Sequence, residues 1–408
     1  LALINPTGYY FFDIKHWRSR EDYDVVAEWR EGAPKIYYTR DWNDHGRDYY
    51  YLEFKEAEAF KTAKLRDHIN PEIIKKLRNA GSNLHLVVNN SHEAFLSAVE
   101  PVYRHIVMGL GIPAQKVILM SGAFDIQEEI ERVRPMYNQP PIKAELTLDF
   151  EDSTLTTLQV MIQDGVWQSP KTLNVDRKYD KKYLNFNRRW RLHRPTFVAL
   201  LKHRGLLDKG YVSLAPSDDN IAWDQAWKSV ITMNHDFPWI VSAAHEIQEE
   251  LKNMGPLYLD TKDLVTNRAM LEPGNRVNYL YEQTYFSLIS ETNYYTVHPG
   301  YEKSKFLSEK AFKPIVYRHP FMLISTPGCL ECMKHIGYQT FDGLIDESYD
   351  SVSNDGDRMD AILQETERLI NLNPQELRKF LEGAKEVCDY NYKVLYNKTK
   401  FQHKLNYE

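Results

Sequence analysis

Residues 286–325 constrain this chain more than any other stretch. A β-branched and aromatic run, Tyr285-Phe286-Ser287-Leu288-Ile289-Ser290, stops at Glu291. A polar, tyrosine-rich loop follows. Ser308-Glu309-Lys310 then opens an amphipathic segment, and Pro320-Phe321-Met322-Leu323-Ile324 is a second apolar run. Two short apolar runs flanking an amphipathic segment read as strand, helix, strand. Strands joined through a helix pair in parallel, and parallel sheets are buried on both faces, so the chain is committed to an α/β architecture. In open sheets of this kind ligands bind outside the carboxyl ends of the strands, where loop 291–308 falls.

The same alternation recurs elsewhere. Asn83-Leu84-His85-Leu86-Val87-Val88 reads as a buried strand, ending in Asn89-Asn90-Ser91-His92-Glu93. Phe95, Val99, Val102, Ile106 and Leu110 follow at nearly helical spacing, and Gly111-Ile112-Pro113 stops the helix. Lys116-Val117-Ile118-Leu119-Met120 is the next parallel strand, ending at Ser121-Gly122-Ala123-Phe124-Asp125. A second series starts at Tyr183-Leu184-Asn185-Phe186-Asn187, continues through a helix opened by Pro195, and reaches a strand at Tyr211-Val212-Ser213-Leu214. A helix is expected around 243–253, and two helical patterns, 357–372 and 374–396, finish the chain. Composition turns polar over 165–182. The expectation is two Rossmann-like, doubly wound α/β domains facing across a cleft, residues 1–175 and 176–385, with a tail, 386–408, packing back on the first.

Length supports that division, since 408 residues exceed one ordinary domain. A net charge of −6 leaves no global basic field for nucleic acid. No apolar run approaches the ~20 residues of a membrane span, and no signal peptide is visible, so a cytoplasmic protein is expected. The 3 cysteines argue against a disulfide scaffold. Cys329 and Cys332 form a CxxC pair without the partners a zinc site needs, and read as ordinary helix cysteines.

Charge is nevertheless uneven. Residues 177–194 hold eight Lys/Arg against Asp180, a local balance of +7 within that total of −6. Arg188, Arg189, Arg191 and Arg194 fall where a strand ends and a helix begins, with Asn187 at the strand tip. Several guanidinium forks beside a helix N-terminus suit a diphosphate, although most charge runs are only solvated surface. In the opening stretch, Pro314 is tolerated within a first helical turn, so the helix should start near 308–311. That places Glu309 and Lys310 at its mouth. Lysine there can neutralise an anion, and glutamate can accept from hydroxyls. Glu291 should point toward the same crevice. The plainer alternative is that Ser308 is a cap and Glu309 a favourable charge for the helix dipole.

These runs carry a resemblance. Phe286-Ser287-Leu288-Ile289-Ser290-Glu291, Phe306-Leu307-Ser308-Glu309-Lys310-Ala311-Phe312-Lys313-Pro314 and His319-Pro320-Phe321 resemble the C-terminal donor domain of GT-B glycosyltransferases. The fucosyltransferase and exostosin-like groups and uncharacterised viral or phage-type relatives are the most similar. Residues 183–208, with Asn187-Arg188-Arg189 and His193-Arg194, look like the first βα unit of such a domain. The resemblance covers about 183–350; loop 293–305 is longer and richer in tyrosine than the fucosyltransferase pattern. It implies a nucleoside-diphosphate sugar, UDP- or GDP-linked, as donor substrate, with a glycan hydroxyl as acceptor. It further implies no permanently bound cofactor and no essential metal. Asn187, Arg188, Arg189, Arg191, Arg194, Glu291, Ser308, Glu309 and Lys310 would hold the donor. A base would then come from the first domain: His92 or Glu93, with Asp125 in reserve, although Ser91 and Glu93 also suit a helix cap. Asp149-Phe150-Glu151-Asp152 and Ser217-Asp218-Asp219 come nearest to a divalent-cation set, but neither accompanies the basic loop. Two other classes compete: a catalytically silent scaffold that binds glycans or proteins, and a transferase acting on modified nucleic acid, which the acidic balance disfavours.

Overall fold

The computed structural model describes residues 3–4, 10–11, 35–39, 48–53, 69, 71–91, 94–148, 150–151, 154–155, 157–158, 165, 173–176, 178–187, 190–214, 223–259, 278–297 and 302–405. The chain forms two compact units. The first comprises Leu1–Asp149 with Glu302–Phe306, and the second Phe150–Tyr301 with the chain from Leu307 onward through the last described helix. The division therefore falls earlier than the polar stretch at 165–182. The final long helix belongs to the second unit, where a separate tail was expected.

In the first unit, β1 (Leu3–Ile4) and β2 (Tyr10–Phe11) form a small antiparallel pair. The main sheet has the order β3-β4-β5-β6-β7. Its strands are β3 (Lys35–Thr39), β4 (Asp48–Glu53), β5 (Leu84–Asn90), β6 (Val117–Ser121) and β7 (Lys143–Leu146). Only the β3–β4 pair is antiparallel. Helix α1 (Pro71–Arg78) precedes β5, and α2 (Val99–Pro101) runs on as π-helical Val102–Met108 before β6. Helix α3 (Ile126–Val133) links β6 to β7. The expected apolar face of the second connection is buried at Val99, Val102, Ile106 and Leu110. The wider π turns bury Tyr103 as well. Sequence order and spatial order coincide in this sheet. With right-handed crossovers, such an order winds helices over one face only, so the described strands contain no reversal point. That differs from the doubly wound expectation for this half. Strand periodicity shows which segments are strands, not the order in which they pair.

The second unit differs in this respect. Its strands are β8 (Tyr183–Asn185), β9 (Gly210–Val212), β10 (Phe286–Ser290) and β11 (Phe321–Ile324). All pair in parallel, in the order β11-β10-β8-β9. The chain moves from β8 outward to β9, then returns to the other side of β8 for β10 and β11. Winding therefore reverses between β8 and β10, and the carboxyl ends of these two strands flank the switch point.

Helix α4 (His193–His203) joins β8 to β9. Helices α5 (Trp223–Met233), α6 (Pro238–Glu246) and α7 (Gln248–Met254) lie between β9 and β10. A break at Ile247 thus replaces the single helix expected there. Helix α8 (Glu309–Val316) links β10 to β11. Helices α9 (Cys329–His335), α10 (Asp355–Ile370) and α11 (Pro374–Leu405) complete the unit. Every residue of β10 and β11 is buried, as parallel strands covered on both faces must be. Cys329 and Cys332 are buried free thiols. No described helix is long and apolar enough to cross a membrane.

Candidate functional site

At the switch point the tip of β8 is polar and buried. Asn185 donates from Nδ2 to the Leu288 carbonyl at 2.6 Å and to Ser290 Oγ at 3.2 Å, tying β8 to β10. Asn187 donates to Asn185 Oδ1 at 2.5 Å and to the Ser213 carbonyl at 3.1 Å, tying β8 to the segment after β9. The Asn187 Oδ1 atom is buried without a hydrogen-bond partner among the described residues.

Glu291, one residue beyond β10, is fully buried. Its carboxylate does not reach outward. Oε1 accepts from the Ser308 N–H at 3.1 Å, while Oε2 accepts from Ser308 Oγ at 2.5 Å and the Thr292 N–H at 3.0 Å. Ser308 is the N-cap of α8, in extended conformation. The helix starts where expected, but for a different reason. Pro314 lies beyond the first turn, so it does not set the start, and its ring removes one bond that would have gone to the Lys310 carbonyl. The start is decided by Glu291 and Ser308 binding each other. Glu291 is thus the anchor of the helix mouth rather than a group presented to solvent.

Lys310 completes the arrangement. Its ammonium donates to Ser308 Oγ at 2.5 Å and to Thr292 Oγ1 at 3.4 Å. It stands 3.7 Å from Glu291 Oε2 and 3.6 Å from Glu309 Oε1. About a fifth of its side chain is exposed, so it is reachable from outside, whereas Glu291 is not. Burial by itself would raise the Glu309 carboxyl, but Lys310, Lys313 and Arg194 more than offset this and bring it to about 2. At neutral pH Glu309 is therefore an ionised acceptor set among cations.

The basic loop after β8 divides in two. Arg194 is buried, and its Nη2 donates to the carbonyls of Ser290 at 3.3 Å and Glu291 at 3.1 Å. It braces the tip of β10. His193 Nε2 donates to the Glu291 carbonyl at 3.0 Å, which fixes the tautomer, and its ring stacks on Tyr294 at 5.4 Å. Burial, with Arg194, Arg191 and Lys310 adding to it, holds this imidazole neutral, well below its usual range. Arg191 is half-buried. Arg188 and Arg189 lie outside the described residues. Arg191, Arg194, Ser308, Glu309, Lys310, Glu291 and Asn187 are thus brought to one end of one sheet. The sequence reading missed His193, Thr292 and Tyr294, although His193-Arg194 at a helix start beside a strand tip was a signal for the first.

Of the expected bases, His92 and Glu93 lie outside the described residues. Asp125 stands just beyond β6 in the first unit, and its carboxylate accepts the Lys305 N–H at 3.2 and 3.3 Å. Lys305 in turn accepts from the Phe124 N–H at 3.0 Å, and Ser304 Oγ donates to the Ala94 carbonyl at 2.5 Å. Asp125 is therefore engaged in holding its own chain. Burial raises its carboxyl from 3.8 to about 6, against the opposing Lys305 N–H bond and charge. Because the folded value is raised, the native unit binds this proton more tightly than the unfolded chain. The resulting stability is full below about pH 4 and is lost as pH rises through about 6. Asp125→Asn is expected to remove that slope, on the order of 2–3 kcal/mol at full extent. Urea denaturation at pH 4.5 and 7.5 measures it, and parallel slopes in wild type and variant would refute the assignment. Among the acidic residues weighed for a cation, Glu151 is bound by Tyr338 at 2.6 Å and by Lys398. Asp149, Asp152 and residues 217–219 lie outside the described residues.

No protein-family model matches this chain, and no curated protein matches it.

Proposed function

We propose that this chain is a glycosyltransferase of the GT-B type, taking a sugar from a UDP- or GDP-linked donor to a glycan hydroxyl. In this reading the second unit is the donor domain. The observation that carries the reading is a coincidence of position. The reversal of strand order between β8 and β10 meets the capped mouth of α8, with Lys310, Arg191 and Arg194 around it. A switch point is where doubly wound sheets take ligands, and a helix mouth with adjacent cations suits phosphate.

The chemistry is consistent with that placement. Breaking the bond from sugar to diphosphate leaves charge on the diphosphate, and fixed N–H dipoles and an ammonium lower the barrier where that charge develops. Lys310 rests on Ser308, Glu291 and Glu309, so an incoming phosphate can draw it away from Glu309. Glu309 is then freed to accept from a hydroxyl pair such as a ribose diol. Side chains supply the neutralising charge in this reading, and turnover should survive EDTA.

Thermal unfolding with a panel of UDP-, GDP- and ADP-sugars tests the proposal. A cognate nucleotide at 100 times its Kd is expected to add about 2.7 kcal/mol of stability. The absence of a shift with every member of the panel would sink it.

A further inference from the structure

The loop after β10 is held from beneath by two side chains of α10. Asp355 and Arg358 are each 1% exposed and pair at 2.7 Å. Arg358 reaches three separate segments. Nη2 donates to the Tyr294 carbonyl at 2.6 Å and Nε to the Ser325 carbonyl at 3.1 Å. Nη1 donates to the Val352 carbonyl at 2.8 Å and more weakly to that of Ser353 at 3.3 Å. Asp355 accepts from the Thr296 N–H at 3.0 Å, from its hydroxyl at 2.9 Å, and from the Val297 N–H at 3.4 Å. Tyr294 closes the ring of contacts. Its hydroxyl donates to the Asp355 carbonyl at 2.6 Å, and its face lies 4.4 Å from the Arg358 guanidinium carbon. The same ring stacks on His193, whose Nε2 binds the Glu291 carbonyl.

A buried ion pair rarely adds stability over well-packed apolar residues of similar volume, because desolvation offsets the attraction. What this fork does supply is placement. It ties the loop after β10, the end of β11 and the turn before α10 to one planar group. We propose that Asp355 and Arg358 are positioning residues for the strand-tip site. They set the backbone of residues 291–297, and through it the Glu291 carbonyl that Arg194 and His193 both bind and the carboxylate that holds Ser308. The ligand part of this inference rests on the diphosphate reading; the positioning part does not.

The double variant Asp355→Asn/Arg358→Met removes both charges and keeps volume, and Arg358→Lys keeps the charge but loses the fork. Three readouts on the full chain decide the matter. Amide hydrogen exchange at Glu291, Thr296 and Val297 is expected to accelerate about 100-fold, with β11 and α11 unchanged. The His193 ring resonances, which report its stacking on Tyr294 and its bond to the Glu291 carbonyl, are expected to shift and broaden in the NMR spectrum. The dissociation constant for UDP or inorganic pyrophosphate is expected to rise about tenfold. Wild-type protection at residues 291–297 in either folded variant would overturn the inference, as would exchange that rises uniformly across the unit. If the double variant does not fold, Arg358→Lys supplies the same comparison. Should wild type bind neither ligand, the diphosphate reading fails while exchange and the His193 resonances still decide positioning.

Discussion

Glu291→Gln is expected to destabilise the second unit by about 3 kcal/mol and to loosen the mouth of α8. The carboxylate offers two oxygens, and both are taken by donors: Ser308 N–H on one, Ser308 Oγ and Thr292 N–H on the other. An amide offers one oxygen. Whichever way it is turned, its NH2 faces a backbone N–H, so at least one buried donor loses its partner and meets another donor. The lost bonds are also charge-assisted, and such bonds are about twice as strong as neutral ones. Lys310, 3.7 Å away, loses a counter-charge in the same change. Urea denaturation followed by circular dichroism reads the loss. A change below ~0.5 kcal/mol would mean that Ser308 alone decides where the helix begins, within the range expected for a peripheral substitution.

Lys310→Met should produce the opposite profile. Its ammonium makes no bond between backbone groups, so unfolding of the free protein should shift less than in Glu291→Gln, by the counter-charge it gives Glu309 and buried Glu291. Nucleotide binding should suffer instead. A charged hydrogen bond contributes about 1.5–3 kcal/mol, and loss of this one should raise the dissociation constant for a nucleoside diphosphate roughly 10- to 100-fold. Calorimetric titration of wild type and variant with UDP and GDP makes the comparison. Equal affinities would remove Lys310 from the site and the diphosphate from the proposal. The contrast between the two variants separates the anchor of the helix mouth from the group it presents.

Much of the local structure was legible beforehand because its causes are local. β10, α8 and β11 follow from two apolar runs and an amphipathic segment, and the Ser308 cap follows from residue type. The basic turn after β8 was visible as a charge excess. Its division of labour was not, since Arg194 serves two strand-tip carbonyls while Arg191 stands half-buried nearby. Glu291 shows the same limit. A carboxylate at a strand tip reads as a ligand group until its own Ser308, 17 residues on, is seen to occupy it. Asp125 is a parallel case, with the Lys305 N–H arriving from 180 residues away.

The sequence by itself determined that this is an α/β chain with parallel strands, where β5, β6 and β8 to β11 lie, and that charge gathers at the start of α4 and α8. Those properties come from periodicity, capping and charge, which act over a few residues. Only the tertiary structure decided that the first sheet runs in sequence order while the second reverses between β8 and β10. It alone also decided that α10 sends an ion pair beneath the loop after β10. Strand order and buried pairing are settled by which distant surfaces exclude water together and which buried donors must find acceptors. Neither leaves a mark on neighbouring residues.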